Sequence, residues 1–444
     1  MNHAPDWSTM VDVAQTENAK KKPQMVRTAV VVGTALEHYD FFIYGTAAAL
    51  VFNQQYFASE DPLVSSLAAF ATFAVGFIAR PLGAVFFGHL GDTIGRRNTL
   101  IITLVVIGIS TGLIGIVPTF AAIGIWAPIA LVVLRFLQGL SFGGEWAGAV
   151  TLATEHAPPG KKGLYASLPQ LGSPIGNITS SGAFLLLAFM PAETFDAWGW
   201  RIPFLLAFPL LGVALWVRTL VDESPEFKKV AAKDQVKKVP ALEVLKHSPG
   251  RMMTAAALAL VTIGGFFLVT TFAISYGTNT VGLPSNVMLT ATMSAAILQI
   301  VTVLVTGYFS DSVNPVKLAV WGCIISLVVS FPGFYMLSTG IEWLAVFAVI
   351  LMVQPMAVTY AVTGVILPRL FTADIRYSGV ALGFNIAGMI GGFVPMIATS
   401  LLIAFDSSWL PIGGFLFLIS AISLAGALIS GVLVKTTKKL DEIV

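Results

Sequence analysis

Long apolar runs, separated by short polar connections, occupy the chain from residue 28 to residue 434. A helix that crosses a membrane needs about 20 mainly apolar residues. Measured against that length, the pattern predicts twelve spanning helices, at 28–52, 66–90, 98–117, 122–152, 163–189, 202–221, 253–279, 287–309, 316–338, 343–368, 377–402 and 410–434. The predicted fold class is therefore an all-α membrane protein.

The largest polar interruption runs from Val221 to Arg251 and contains DESPEFKK and KDQVKK. It separates six predicted helices from six others. The predicted organisation is an N-terminal tail, a first six-helix bundle, a central loop, a second six-helix bundle and a C-terminal tail, at 1–27, 28–221, 222–252, 253–434 and 435–444.

The two halves share sequence features that indicate an internal repeat. GHLGDTIGRR at 88–97 follows the second predicted helix, and the weaker copy GYFSDSVNPVK at 307–317 follows the eighth. The fifth and eleventh helices both follow a basic, Gly-containing junction and contain small residues, GSPIGN and GMIGG. Small residues permit close helix contact. Repeated bundles with a binding site between them near the bilayer midplane are typical of secondary transporters.

Composition and charge support this assignment and orient the chain. Of its residues, 56% are hydrophobic and 11% are charged, and the mean hydropathy is +0.84, whereas a soluble domain has about 25% charged residues. The Lys and Arg residues are distributed unevenly across the predicted membrane. Three of them fall inside predicted spans, Arg80, Arg135 and Arg218, and Arg201 alone lies on one side of the membrane. All other Lys and Arg residues lie on the opposite side. Positive charge collects on the cytoplasmic side. We therefore expect cytoplasmic termini and central loop, in a multi-pass protein of the plasma (inner) membrane.

Several function classes have no support in the sequence. The net charge is +2, and neither a basic face nor an aromatic-basic stripe of the kind that binds nucleic acid is present, so we expect the lipid bilayer and not a nucleic acid as a partner. The single cysteine excludes an intramolecular disulfide, and the five histidines lack the spacing of metal ligands, so neither a metal nor a cofactor is expected. An enzyme is disfavoured because no nucleophile–base pair or phosphate-binding loop is found.

Nearly the whole chain resembles a known family, through EHYDFFIYG, RPLGAVFFGHLGDTIGRR, RFLQGLSFGGEWAGA, EHAPPGKKG, WGWRIPF, ESPEF and RYSGVALG. These stretches resemble the metabolite:proton symporters of the major facilitator superfamily, with the nearest resemblance to shikimate transporters. The resemblance implies two pseudo-symmetric six-helix bundles and proton-coupled import of a small carboxylate, such as shikimate, a dicarboxylate or an aromatic acid. We expect a monomer.

The chain departs from the family pattern at three places. His38 stands where the family usually has Trp, and Thr93 where it usually has Arg. In the second copy of the turn, Asn314 and Pro315 replace Gly-Arg. The first two departures affect the expected substrate and the strength of the expected gate, while a degenerate second copy is common.

Acidic residues inside predicted spans are candidates for proton coupling, because charge within a bilayer is costly and marks functional sites. Glu37 and Asp40 share a helix face with Tyr44, and Glu37 lies about 13 Å into the first helix. Burial disfavours the charged form of a carboxylate. The alternative is a fixed salt bridge to Arg80 or Arg135. Glu145 on the fourth helix is either a proton relay or a gate partner.

Arg80 and Arg135 lie near mid-membrane and could bind a substrate carboxylate bidentately, with Gln138 adding a hydrogen bond. The alternative is that they neutralise the buried acids. The remaining predicted substrate contacts are neutral, since polar groups in apolar helices need partners; they are Tyr44, Tyr276, Gln299, Gln354, Tyr360 and Asn385.

The repeated turns predict a cytoplasmic gate. Asp92 is predicted to cap the eleventh helix near Tyr377 to Gly379, because a carboxylate stabilises the positive end of a helix. The complete set of predicted gate residues is Gly88, Asp92, Gly95, Arg96, Arg97, Glu155, Asp311 and Arg376. Alternatives to proton-coupled import are a uniporter or exporter of a small metabolite or zwitterion, and a membrane metabolite sensor.

Overall fold

The structure is a computed structural model that describes residues 31–57, 59–94, 96–142, 149–150, 153–154, 157–219, 240–372 and 375–441. Within these ranges, side chains are not described at 85, 88, 89, 91–94, 96–98, 100, 214, 216–219, 240–243 and 438–441. The described residues form helices joined by short connections, and no strand is found among them.

The described residues of the first half form six long helical segments. They are α1 (31–55, with a π-helical stretch at Ala48–Phe52), α2 (Pro62–Ile94), α3 (Arg96–Ile114), α4 (Trp126–Ser141), α5 (162–187) and α6 (202–219). The helix α5 contains a 3₁₀ turn at Leu168–Leu171. Short helices at Phe120–Ile123, Ala192–Ala197 and Gly199–Arg201 lie in the connections.

A short helix at Pro240–His247 precedes the second half, whose described residues form six long helices. These are α7 (Pro249–Val281), α8 (Ser285–Phe309), α9 (Pro315–Ser338), α10 (Glu342–Leu370), α11 (Arg376–Ala404) and α12 (Leu410–Asp441). Seven of the described helices, α2 and α7 to α12, are long and apolar enough to cross a membrane. The predicted all-α, twelve-helix architecture is confirmed, whereas the predicted domain boundaries stay predictions.

Local sequence explains where the helices of the second half end and begin. Gly282 adopts φ 83°, a left-handed conformation that favours glycine, and it ends α7. The side chain of Asn314 accepts a hydrogen bond from the backbone N–H of Val316 at 2.9 Å, and Pro315 occupies the first position of α9. The Asn-Pro pair that departs from the family pattern is therefore a helix N-cap.

The same helix pairs recur in both halves. In the first half, α4 packs on α2 and α3, and α3 packs on α6; in the second half, α10 packs on α8 and α9, and α9 packs on α12. Across the halves, α2 packs on α11 and α5 on α8, while α7 packs on α1. The recurrence shows the predicted pseudo-symmetry, and the paired contacts between halves form a seam along the molecule.

Close helix contacts occur at the small residues that the sequence singled out. A Cβ atom at Gly176 of α5 would lie 2.7 Å from the backbone of Tyr39 on α1. In the second half, a Cβ atom at Gly391 of α11 would lie 3.0 Å from the backbone nitrogen of Gly264 on α7. The prediction that GSPIGN and GMIGG permit close contact is confirmed.

The two ends of the bundle, called the basic face and the opposite face, differ in charge. The basic face contains the connections α4–α5, α8–α9 and α10–α11, with the residues Lys161, Lys162, Lys317, Arg369 and Arg376. The opposite face contains the connections α1–α2, α3–α4, α5–α6, α7–α8, α9–α10 and α11–α12, where Arg201 lies.

Candidate functional site

A buried ion pair joins α1 to α4 inside the first half. Asp40 and Arg135 are 2% and 0% exposed, and 3.9 Å separates Asp40 Oδ2 from Arg135 Nη1. Asp40 Oδ2 and the Nε and Nη2 groups of Arg135 have no hydrogen-bond partner among the described residues. The two charges therefore attract each other without a direct hydrogen bond, and part of each group stays unsatisfied.

Two neutral side chains complete this ion pair. The Gln138 oxygen accepts a hydrogen bond from Arg135 Nη1 at 3.1 Å, and Gln138 Nε2 donates to Asp40 Oδ1 and to Thr111 Oγ1, both at 2.9 Å. The Thr111 hydroxyl, on α3, also donates to Asp40 Oδ1. Gln138 follows Arg135 by one helical turn, so a single face of α4 supplies both groups. Asp40 thus holds α1, α3 and α4 together.

Aromatic rings surround the Arg135 guanidinium. Its Cζ atom lies 4.4 Å from the ring centroid of Tyr44, 5.1 Å from that of Phe73 and 5.2 Å from that of Phe41, distances at which cation–π attraction acts. The Tyr44 hydroxyl donates to Thr72 Oγ1 at 2.7 Å. A Cβ atom at Gly76 would lie 2.6 Å from Arg135 Nε, so glycine there makes room for the guanidinium.

Arg80 lies at the seam between the halves. It is 7% exposed, and its Cζ atom lies 4.2 Å from the ring centroid of Phe41 and 4.6 Å from that of Phe77. Its Nη1 atom would lie 3.5 Å from a Cβ atom at Gly388 on α11. Arg80 also interacts electrostatically with Glu37 on α1 and with Tyr360 on α10. Arg80 therefore faces the second half, whereas Arg135 is enclosed by the first.

The neutral candidates of the second half have varied surroundings. Gln354 accepts a hydrogen bond from Thr302 Oγ1 at 2.7 Å and donates to the Ala295 carbonyl at 3.0 Å, so both ends of its amide bond to α8. Tyr276 stacks on Phe272 with 5.9 Å between ring centroids. Gln299 is 1% exposed and its Oε1 has no hydrogen-bond partner among the described residues. Asn385 is also buried.

Asp311 joins the halves at the basic face. Its Oδ1 accepts the backbone N–H of Gly163 at 2.6 Å, and its Oδ2 accepts that of Leu164 at 3.2 Å. The carboxylate thus caps the first turn of α5, where helix N–H groups lack partners and the helix dipole is positive. A Cβ atom at Gly163 would collide with the Ser310 hydroxyl, so glycine is required for this approach.

Of the other predicted gate residues, Arg376 alone has a described side chain. Arg376 Nε donates to the Pro368 carbonyl at 3.1 Å. Gly95 and Glu155, together with the proton-coupling candidate Glu145, lie outside the described residues. Gly88, Asp92, Arg96 and Arg97 are in helices, but their side chains are outside the description. The predicted capping of α11 by Asp92 therefore stays a prediction.

His38 and Arg201 each contact backbone carbonyls. His38 Nδ1 lies 2.7 Å from the Thr34 carbonyl within α1. Arg201 Nη1 donates to the carbonyls of Gly115 and Val117 at 2.9 and 2.7 Å, and Arg201 Cζ lies 4.4 Å from the Trp200 ring centroid. Arg201 therefore bonds to backbone carbonyls just after the carboxyl end of α3, a place where positive charge is favourable.

Sequence reasoning missed several residues of this region. Thr111 and Thr72 are hydroxyl groups in apolar helices, which usually bond to their own helix, and nothing in the sequence separates them from that majority. Gly76 and Gly139 allow α2 and α4 to touch beside Arg135, since a Cβ atom at Gly139 would collide with the Gly76 carbonyl. The sequence could have indicated Gly76 and Gly139, because small residues in apolar helices mark close helix contacts.

The chain matches known proteins over most of its length. Residues 30–399 match the family model described as Major Facilitator Superfamily. The chain belongs to the Major Facilitator Superfamily. It is 38% identical over 433 residues to the shikimate transporter of Escherichia coli (strain K12), covering 95% of this chain and 97% of that protein. It is therefore a multi-pass membrane transporter of metabolites and not an enzyme.

Two further relatives and a solved structure are similar over most of the chain. The inner membrane metabolite transport protein YhjE of Escherichia coli (strain K12) is 40% identical over 401 residues, covering 88% of this chain and 90% of that protein. The proline/betaine transporter of the same organism is 32% identical over 442 residues, covering 97% and 86%. The solved structure of the proton:xylose symporter XylE bound to 6-bromo-6-deoxy-D-glucose has a TM-score of 0.70 at 16% identity, covering 92% and 95%. This last likeness concerns the fold alone.

Proposed function

We propose that this transporter imports a small organic anion together with protons, by alternating access across the plasma membrane. One observation carries the proposal: two buried arginines lie against the same ring, that of Phe41, one paired with Asp40 inside the first half and the other facing the seam. The relative named as a shikimate transporter supports an anionic substrate, since shikimate is a carboxylate. The basic face would be cytoplasmic, as the distribution of positive charge favours.

Asp40 is our proposed proton carrier. When Asp40 is charged, Coulomb attraction holds it to Arg135, which has no other acidic partner in the described hydrogen-bond network. Protonation would remove that attraction while Thr111 and Gln138 continue to bond Asp40 Oδ1. The packing of α1 against α4 would then change with proton binding, which gives the two access states different proton affinities, as coupling requires.

Arg80 is our proposed binding group for the substrate anion. It faces α11 at the seam, and its guanidinium can present two N–H groups to a carboxylate. Glu37 interacts with the same guanidinium, so it would compete with the substrate while charged. A proton on Glu37 would end the competition, and this links anion binding to proton binding. Glu145 remains a further proton-coupling candidate from the sequence.

The neutral residues would give the site its selectivity. Tyr360 is the strongest candidate, because it interacts electrostatically with Arg80 from the second half. Tyr276, Gln299 and Asn385 remain proposed contacts. Gln354 and Tyr44 would contribute indirectly, since Gln354 bonds to α8 and Tyr44 covers Arg135. We expect the transporter to work as a monomer in the lipid bilayer, and no cofactor is needed.

A zwitterionic substrate is the second candidate. Relatives named as proline/betaine transporters cover most of this chain. Glu37 and Arg80 together offer a negative and a positive charge at the seam. A zwitterion could bind between them without protonation of Glu37. Its transport would therefore depend less on a proton gradient than anion transport.

Reconstitution in liposomes tests the proposal. Labelled shikimate, a dicarboxylate, an aromatic acid, proline and betaine would be offered with and without an inward proton gradient, and with protein-free liposomes as the control. We expect uphill uptake of a carboxylate that collapses when a protonophore is added. Uptake that ignores the gradient would refute symport. Uptake of proline or betaine without any carboxylate would refute the anionic substrate.

A further inference from the structure

A serine on α12 is inserted into the backbone hydrogen bonding of α7. The Ser423 hydroxyl donates to the Ala257 carbonyl at 2.8 Å and accepts the Val261 N–H at 2.8 Å. In a regular α-helix these two groups, four residues apart, are the acceptor and donor of one hydrogen bond. The π-helical stretch Val261–Gly265 begins at this point. Ser423 therefore bridges one turn of α7 where the helix departs from α-geometry.

Close backbone contact fixes the bridge in place. A Cβ atom at Gly426, one turn after Ser423, would lie 2.5 Å from the backbone nitrogen of Leu258. On the other side of α7, Gly264 and Gly391 bring α7 against α11. The bridge lies about 18 Å from the start of α7 at Pro249, near the middle of the membrane. The turn is thus held between α11 and α12.

The two sides of the bridge have different partners. Before it, Arg251 donates to the Leu370 carbonyl at 2.6 Å and so ties the start of α7 to its own half. After it, Phe267 packs on Phe73 with 5.2 Å between ring centroids. Further along, a Cβ atom at Gly45 would lie 3.0 Å from Thr271. A bend at the bridge would therefore move the part of α7 that touches the first half.

We propose that Ser423 is a positioning residue for transport, which lets α7 bend between residues 257 and 261 during the access change. An unpaired backbone group inside a membrane is costly, and the hydroxyl keeps both groups bonded while the turn opens. A side chain inserted in the helical ladder is a recognised cause of helix bending. The inference concerns the transport cycle and does not depend on the identity of the substrate.

Ser423→Ala tests this role, and Ser430→Ala is its matched control. Ser430 is also buried on α12, but its hydroxyl donates to the Ala427 carbonyl of its own helix at 2.7 Å. Without the bridge, Val261 N–H should bond directly to the Ala257 carbonyl. We expect hydrogen–deuterium exchange of the 257–265 peptide to slow about five-fold in Ser423→Ala, because opening the turn would then break the direct bond from Val261 N–H to the Ala257 carbonyl with no hydroxyl to bond the freed groups, a cost of about 1 kcal/mol. Ser430→Ala should leave it unchanged.

Transport provides the second readout. Where the wild type transports labelled shikimate, Ser423→Ala should lower the rate at which labelled shikimate exchanges for unlabelled shikimate about ten-fold, while the affinity for shikimate stays unchanged. Ser423→Thr retains the hydroxyl and should restore this transport rate. Unchanged or faster exchange of the 257–265 amides, or the same slowing in Ser430→Ala, would overturn the proposal. Absence of shikimate uptake by the wild type would count against the proposed substrate, and the amide exchange would still decide the role of Ser423.

Discussion

Asp40 and Arg80 have different surroundings, which suit the two tasks that we propose for them, proton carrying and substrate binding. Asp40 is enclosed by α1, α3 and α4 and pairs with Arg135, whereas Arg80, which also interacts electrostatically with Asp40, faces groups from both halves. A proton carrier must respond to protonation through its packing, and a substrate group must be reachable from the seam. The position of each residue therefore favours the role that we propose for it.

Asp40→Asn should uncouple transport from protons. The side-chain oxygen of asparagine can accept the hydrogen bonds that Gln138 and Thr111 donate to Asp40 Oδ1. The packing of α1 against α3 and α4 should therefore persist while the negative charge is lost. We expect the accumulation ratio of shikimate in proteoliposomes to fall to about one, while exchange of labelled for unlabelled substrate continues. Glu37→Gln, by contrast, removes the charge that we propose competes with the anion at Arg80, so it should also raise the apparent affinity for shikimate. An Asp40→Asn variant that accumulates substrate as the wild type does would remove Asp40 from the proton role.

Gly388→Ala should narrow the space next to Arg80. The added Cβ atom would lie 3.5 Å from Arg80 Nη1 and 3.8 Å from Phe77, which are ordinary contacts, so folding should be unaffected. One methyl group in a binding site changes affinity by about 10-fold or more. We expect KM for shikimate to rise by at least that factor.

Gly182→Ala is the control for this substitution. A Cβ atom there would meet only Met293, at 3.8 Å, on the packing surface between α5 and α8. Its KM for shikimate should equal that of the wild type. If Gly388→Ala also left KM unchanged, the substrate would not occupy the space between Arg80 and α11.

The sequence predicted the charged residues of the site but not their pairing. Charges in apolar runs are conspicuous, so Glu37, Asp40, Arg80 and Arg135 could all be found. Which arginine faces which acid depends on the rotation of α2 and α4 about their axes. That rotation follows from the contact at Gly76 and Gly139, which is a tertiary feature.

At the scale of helices, Asp311 links the end of α8 to the start of α5. The contact is the counterpart, in the second half, of the predicted contact between Asp92 and α11. The sequence placed Asp311 in the gate because of the repeated turn, but it did not identify the recipient helix. The π-helical stretches of α7 were not predictable either, because they depend on contacts such as that of Ser423 with α7.

Asp311→Ala should loosen the basic face. Loss of an N-cap costs about 0.5–2 kcal/mol, which corresponds to roughly a 2- to 30-fold change in an opening equilibrium. We expect hydrogen–deuterium exchange of the amides of Gly163 and Leu164 to accelerate within that range. Asp61→Ala is the control, since Asp61 Oδ1 accepts the Leu63 N–H at 2.8 Å within the first half. Equal acceleration in both variants would indicate general destabilisation.

At the scale of the whole molecule, the two halves touch at both ends of the seam. Asp311 caps α5 at the basic face. Towards the opposite face, Ser275 Oγ lies 3.5 Å from Ser66 Oγ, and Ser181 Oγ lies 3.2 Å from Thr292 Oγ1. Alternating access requires one set of contacts to break while the other persists. The helices α2 and α7 must therefore separate near Ser66 and Ser275 to admit substrate from the opposite face.

A disulfide between positions 66 and 275 should stop transport. The hydroxyls are close enough that Ser66→Cys with Ser275→Cys should form a disulfide under oxidising conditions, as its geometry requires nearby Cβ atoms. The native Cys323 is buried on α9 and would be replaced by Ser in every variant. We expect shikimate exchange to fall to background after oxidation and to return after reduction, while both single-cysteine variants keep transporting. Exchange that continued with complete cross-linking would mean that substrate enters without separation of α2 from α7.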